Sequence, residues 1–220
     1  MQLSTHGKKL AEESFLNELI ASGVDKLRIP IYGPNAKIHE SVTQTKGSFD
    51  ATLKGIKRLL ERKRNIQIQI SSLIVHQNKK NLAGLVDLIK ELKINDFYFS
   101  IPCVLNDDYS YYIPLKNLGP YVKKVYAYAL KINHNIQFME IPYCIFGKID
   151  KSINNSSLPP NLGEYCQPPK NYKTSIKDLP SCRLKKRIEM RNSCKCSNFC
   201  DGFFLKDINK FGIGNLKPIT

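Results

Sequence analysis

Strands that alternate with helices, in the order βαβαβαβα plus one further strand, predict an α/β fold built on a parallel sheet. Three observations carry that expectation. Short apolar runs recur at KLRIPIY (26–32), IQIQISSLIV (66–75), DFYFSIPCVL (96–105) and IQFMEIP (136–142), after a brief start at MQLST. Segments with apolar residues at helical spacing separate them. Strands joined through helices pair in parallel with right-handed crossovers. The runs carry few charges, as expected when both faces of a sheet are covered. A doubly wound sheet and an open or closed barrel satisfy this pattern equally.

Each element has its own local reason. The first helix is expected over 8–22, with Leu10, Leu16, Leu19 and Ile20 near one face and Gly23 as its stop. Residues 34–47 are polar and read as a loop carrying one histidine, His39. Ser48 is a good N-cap for the next helix, and Asp50 complements the positive end of its dipole. Phe49, Leu53, Ile56 and Leu60 give that helix one apolar face. Leu82, Leu85, Val86, Ile89 and Leu92 predict a helix after the third strand, and another is expected over 115–132. From residue 143 the texture changes to Pro-, Asn- and Ser-rich loops, with one short helix expected around 181–191. The expected division is therefore 1–142 for the sheet domain and 143–220 for a Cys-rich extension not held by a core of its own.

Composition narrows the function classes. The chain has 220 residues, 42% of them hydrophobic, which suits a folded domain of sizeable core. No apolar stretch approaches the roughly 20 residues that cross a bilayer. The start, MQLSTHGKKL, lacks the apolar core of a signal peptide, so a soluble cytoplasmic protein with no membrane role is expected. The net charge is +15, but only seven of the 34 basic residues are arginine. Nucleic-acid readers favour arginine for bidentate contacts to guanine. The lysines here are spread over amphipathic helices such as LKGIKRLLERKRN and KKVYAYALK, as a solvated surface is. A nucleic-acid partner is therefore not expected.

Five of the seven cysteines lie in the last quarter of the chain. The stretch PSCRLKKRIEMRNSCKCSNFCDGFF holds Cys182, Cys194, Cys196 and Cys200, with Cys144 and Cys166 upstream. In a cytosolic chain such clustering points to metal before disulfides. Close thiolates suit zinc or an iron–sulfur cluster, and a loop-rich segment gains folding energy from such a site. The spacing matches neither a paired C-x2-C zinc ribbon nor a ferredoxin run. The glycine spacing near Gly33 matches no common phosphate-binding loop, and His39 has no partner at a metal-ligand spacing.

The stretch QLSTHGKKLAEESFLNELIASGVDKLRIPIYGPNAKIHESVTQTKGSFDATLKGIKRLL resembles the middle of radical S-adenosylmethionine (radical SAM) enzymes. The shared elements are a strand running into a YGPN…H…T…GSF segment and the following TLKGI. IPYC ending at Cys144, SCKCSNFCDG and FGIGNLKPI resemble the tail of one subgroup. The likeness runs from about residue 2 to 218. It implies a partial parallel (β/α) barrel, the last four βα units of a (β/α)6 barrel, with a small Cys-rich C-terminal extension. It implies S-adenosylmethionine contacts at strand ends: Thr5 and His6, where the family has Thr-Asn; Arg28 and Tyr32 on the next strand; Gln77 and Asn78 after the third. Asn78 serves equally well as an N-cap and Arg28 as an ion-pair member. It further implies an auxiliary 4Fe-4S cluster on Cys182, Cys194, Cys196 and Cys200, with Cys144 or Cys166 completing the set.

One departure limits what carries over. No C-x3-C-x2-C occurs in the sequence, and that motif holds the cluster that cleaves S-adenosylmethionine in the family. The glycine-rich segment that meets the methionine amino group is also missing. The chain is therefore expected to be a fragment, catalytically inert in radical chemistry alone. S-adenosylmethionine would serve only with an N-terminal half or a partner chain, on a peptide or other unknown substrate. The alternative function is a non-catalytic α/β binding module stabilised by zinc or a cluster.

Overall fold

The computed structural model describes residues 2–62, 66–102, 104, 107–147, 185–186, 194–196 and 202–220. They fall into two compact units: residues 1–100 with 124–136, and residues 101–123 with 137–220. Among the described residues no helix is long and apolar enough to cross a membrane.

The first unit is built on β1 (Gln2–Ser4), β2 (Lys26–Pro30), β3 (Gln67–Leu73) and β4 (Asp96–Ser100). They lie side by side in chain order, and each neighbouring pair is parallel. Register sets Ser4 beside Arg28, Arg28 beside Gln69, and Gln69 beside Asp96. The α/β class and the parallel sheet thus follow the sequence expectation, and four successive parallel strands are consistent with part of a barrel.

Only one face of this sheet is apolar. Leu27, Ile29, Ile70, Phe97 and Phe99 are fully buried on it. The alternate positions carry Lys26, Arg28, Gln67, Gln69, Ser71, Asp96 and Tyr98. β2, β3 and β4 alternate, so the second face is polar, yet it is covered at Gln69, Tyr98 and Ser100, which are buried.

Before residue 82 the helices differ from the sequence reading at three places. The segment 8–22 is a 3-10 turn, Lys8–Ala11, and then α1 (Glu13–Ala21), broken at the extended Glu12. Residues 34–47 are not a plain loop, because α2 spans Ala36–Thr43. Asn35 caps it by accepting the Ile38 N–H on its side-chain oxygen at 3.1 Å. Ser48 opens α3 (Ser48–Glu61) but does not cap it; Gly47 takes the cap position at φ 76°. The Ser48 hydroxyl instead meets that of Thr43 at 2.8 Å, which joins the end of α2 to the start of α3. α4 (Leu82–Glu91) and α5 (Leu115–Lys131) lie where the apolar spacing put them.

Gly55 sets how closely the 3-10 turn meets α3. A methyl group there would overlap the Gly7 carbonyl oxygen and lie 2.8 Å from Leu10 Cβ. The turn has little room to retreat. Thr52 Oγ1 donates to the His6 carbonyl at 3.0 Å, and Arg58 donates to the Ala11 carbonyl. Ala exceeds Gly in helix propensity by about 1 kcal/mol, whereas overpacking against main chain costs up to about 3 kcal/mol. Gly55→Ala should therefore lose about 2 kcal/mol net. A denaturant midpoint equal to or above wild type would contradict this packing.

In the second unit, β5 is only Gln137–Phe138, because Glu140 turns the chain at φ 63° and Pro142 follows. A one-turn helix, α6 (Tyr143–Phe146), stacks Phe146 edge-on to Phe138 at 4.9 Å. The helix expected around 181–191 is corrected where the chain is described: Lys185–Lys186 form β6, antiparallel to β7 (Phe203–Phe204). A further helix, α7 (Leu205–Phe211), was not anticipated. Its buried Asp207 accepts the Leu115 N–H at 3.2 Å, filling the cap position of α5, and burial pushes its carboxyl up. Phe203, Phe204 and Cys196 are also buried.

Candidate functional site

Parallel strands bring their C-terminal ends to one edge, where open α/β sheets bind ligands. Five of the six residues implied as cofactor contacts stand at or just beyond that edge. Thr5 and His6 follow β1; the Thr5 N–H donates to the Arg28 carbonyl at 3.0 Å, and Thr5 Oγ1 accepts the Gly7 N–H at 3.2 Å. His6 is exposed. Gln77, beyond β3, is exposed, and Asn78 is buried.

Asn78 is committed to the protein itself. Its side-chain oxygen accepts the Val75 N–H at 2.9 Å. Its amide nitrogen donates to the Leu73 carbonyl at 2.7 Å and the Tyr32 carbonyl at 2.9 Å. Both amide hydrogens are used in tying the chain after β2 to the chain after β3. It does not cap α4, whose cap position is Asn81.

Tyr32 follows β2, half-buried, beside buried His39 of α2, with ring centroids 5.6 Å apart. Burial, and then nearby Tyr98, push the Tyr32 phenol up. The Tyr32 N–H donates to His39 Nδ1 at 3.2 Å, which places the ring proton on Nε2. Burial holds His39 at a pKa of about 4, outweighing Glu40 which raises it, with Lys8 adding to the depression. His39 is therefore a neutral acceptor that fixes the chain where β2 leaves the sheet.

Arg28 belongs to a chain of contacts on the polar face. Its Nε donates to Gln69 Oε1 at 2.9 Å, and Gln69 Nε2 donates to Asp96 Oδ1 at 2.8 Å. The other Asp96 oxygen receives Gln67 Nε2 at 2.7 Å and Lys26 Nζ at 3.1 Å. The guanidinium lies over the Tyr98 ring, 5.5 Å from its centroid. Gln67, Gln69, Lys26, Asp96 and Tyr98 were not singled out from the sequence. The period-2 alternation in KLRIP, QIQIS and DFYFS was the signal that marks them.

The expected thiol set is only partly visible. Cys182, Cys200 and Cys166 lie outside the described residues. Cys194 is partly exposed, Cys196 is 2% exposed, and Cys144 lies on α6. The Lys195 N–H between the first two donates to the Ile219 carbonyl at 2.8 Å. Among the described residues no three His, Cys, Asp or Glu side chains gather as a metal site.

No protein-family model matches the chain. The chain is similar to a protein named AdoMet-dependent heme synthase from Methanosarcina barkeri (strain Fusaro / DSM 804), at 32% identity over 108 residues. The similarity supports a relation to the radical SAM enzymes. The aligned region covers 48% of this chain and only 30% of the relative. The chain therefore spans about a third of the protein it resembles.

Proposed function

We propose that this chain is the C-terminal part of a radical SAM iron–sulfur protein that modifies a peptide or other substrate. The likeness to the heme synthase carries the proposal. The parallel sheet supports it with a ligand-binding edge of the right kind.

The side chains present fit the cofactors in part. Exposed His6 and Gln77, with half-buried Tyr32, offer hydrogen-bonding groups suited to a nucleoside at the strand ends. Asn78, with its amide hydrogens committed, offers little. The thiols Cys194 and Cys196 are donors that suit iron or zinc, and Cys182, Cys200 and one of Cys144 or Cys166 complete the proposed set within an extension taken as 143–220. The C-x3-C-x2-C ligands are not in this sequence, so radical chemistry requires a preceding segment or a partner chain to supply them. When bound, that cluster supplies the electron that cleaves S-adenosylmethionine. The three residues of β1, all exposed at the edge of the sheet, are where such a half-barrel would pair.

Anaerobic reconstitution with iron and sulfide tests the proposal. The expected product is brown, with broad thiolate-to-iron absorption and bound sulfide. Substituting Cys194 and Cys200 together should abolish the colour. Colourless protein with stoichiometric zinc would instead support a metal-stabilised binding module, and unchanged iron in the double variant would refute the assigned thiols.

A further inference from the structure

We propose that residues 205–220 form a strap joining the Cys194–Cys196 segment to the connection between β4 and α5, so that metal held by those thiols orders that connection. Every contact involved lies within the second unit. The inference rests on the proposal that Cys194 and Cys196 hold metal, and adds a regulatory consequence to it.

One end of the strap grips the connection. Lys206 Nζ pairs with the Asp107 carboxylate at 2.9 Å, and Lys210 Nζ lies over the Tyr109 ring, 3.9 Å from its centroid. Phe211 meets Tyr109 edge-on at 5.3 Å and stacks on Tyr112 at 6.3 Å between centroids. Buried Asp207 accepts the Leu115 N–H at 3.2 Å. Lys206 and Lys210, like Asp207 and Phe211, are four residues apart, so α7 turns neighbouring side chains to this one segment. The grip meets a local need. Asp107 stands at φ 55°, a left-handed conformation that a non-glycine residue keeps where its surroundings fix it.

The other end reaches the thiols. Lys116 Nζ donates to the Phe211 carbonyl at 2.5 Å. Gly214 lies against the stem of the same lysine: a methyl group there would stand 3.0 Å from Lys116 Cβ. Further along, the Ile219 carbonyl accepts the Lys195 N–H at 2.8 Å. Lys195 separates Cys194 from Cys196, so this bond fixes the main chain between two thiols, of which Cys196 is 2% exposed. A metal on that pair favours the fixed main chain, and the contacts then run unbroken through the strap to Asp107 and Tyr109. Connections that follow parallel strands are where ligand contacts concentrate, so metal loading would prepare such a connection for its ligand.

Coupling is reciprocal, which supplies two tests. In the first, the full chain, reduced and anaerobic, receives equimolar zinc, and hydrogen exchange is followed in the peptide covering 107–116, with bound zinc counted in the same sample. Zinc should slow exchange there several-fold and leave the amides of β2 and β3 unchanged. Phe211→Ala should abolish the slowing while zinc still binds. Bound zinc with unchanged exchange at 107–116 overturns the coupling. The second test uses no metal. Alkylation of Cys196 in the metal-free chain, read by peptide mass, should be several-fold faster in Phe211→Ala and in Lys116→Ala. Lys116 is exposed, so its variant keeps the second test decisive where Phe211→Ala fails to fold. Wild-type alkylation rates in the folded variants overturn the strap whether or not zinc binds. Faster alkylation in a chain that takes up no zinc refutes the metal proposal and supports the strap.

Discussion

Replacing Asn78 with alanine is expected to destabilise the first unit by about 3 kcal/mol. The side chain is 1% exposed and makes three main-chain hydrogen bonds, to the Val75 N–H and to the Leu73 and Tyr32 carbonyls. Alanine leaves those groups without that partner in a place where water has little access, and each stranded buried group costs about 1–3 kcal/mol. Not all three losses add, since a carbonyl keeps a second lone pair and the loop can shift. Asn78→Asp separates the parts. It keeps the acceptor for Val75 but turns an oxygen toward two carbonyls, so it should be no better than alanine. A residue acting only as a ligand contact would give the opposite result: both variants at wild-type stability, with affinity alone changed. Urea unfolding of the three proteins, with superimposable far-ultraviolet spectra before unfolding, distinguishes the cases; a loss below about 1 kcal/mol in Asn78→Ala removes the tie between the strand ends.

What could be read from the chain without coordinates follows a physical division. Periodicity located β2, β3, β4, α4 and α5, because long amphipathic or apolar runs bury one recognisable face. It failed at α2, whose eight residues carry His39 as their buried member rather than an aliphatic stripe. It failed again at Ser48, where a good capping residue sits one position inside the helix and a glycine takes the cap. The polar ladder from Lys26 to Tyr98 was present in the alternation but was masked by the aliphatic residues between its members. The edge where the C-terminal ends of the strands gather came from the parallel connectivity, which the alternation of strands and helices implies. The role of Asn78 did not, because its partners Tyr32 and Leu73 lie 46 and 5 residues away and nothing local encodes the first. The likeness to a radical SAM relative was legible in motif order even though no single motif is decisive.

Acidification from pH 7 to pH 4 is expected to remove most of about 3 kcal/mol of stability through His39 alone. The ring is 2% exposed, accepts the Tyr32 N–H on Nδ1, and lies against Phe49 at 5.6 Å between centroids. Its folded pKa is about 4, against 6.5 for a free histidine, a difference caused first by burial. Between these values the unfolded chain binds a proton that the folded chain refuses, so stability rises with pH across this window. The contribution is complete above about pH 6.5, falls as the pH drops through 6 and 5, and is exhausted below about 4. His134, also depressed by burial, acts in the same direction. Asp207, with its carboxyl raised, acts in the opposite one, because protonated Asp207 favours the folded state. His39→Asn isolates the main effect: the amide oxygen can still accept the Tyr32 N–H, yet nothing there titrates. The variant should be less stable at pH 7, from lost ring packing, but flatter than wild type between pH 7 and 4.5. Parallel profiles for the two proteins, or a His39 ring resonance titrating near 6.5, would show that α2 does not bury this histidine as a neutral acceptor. Such an outcome would also free the chain after β2, and with it the position of Tyr32 at the proposed cofactor edge.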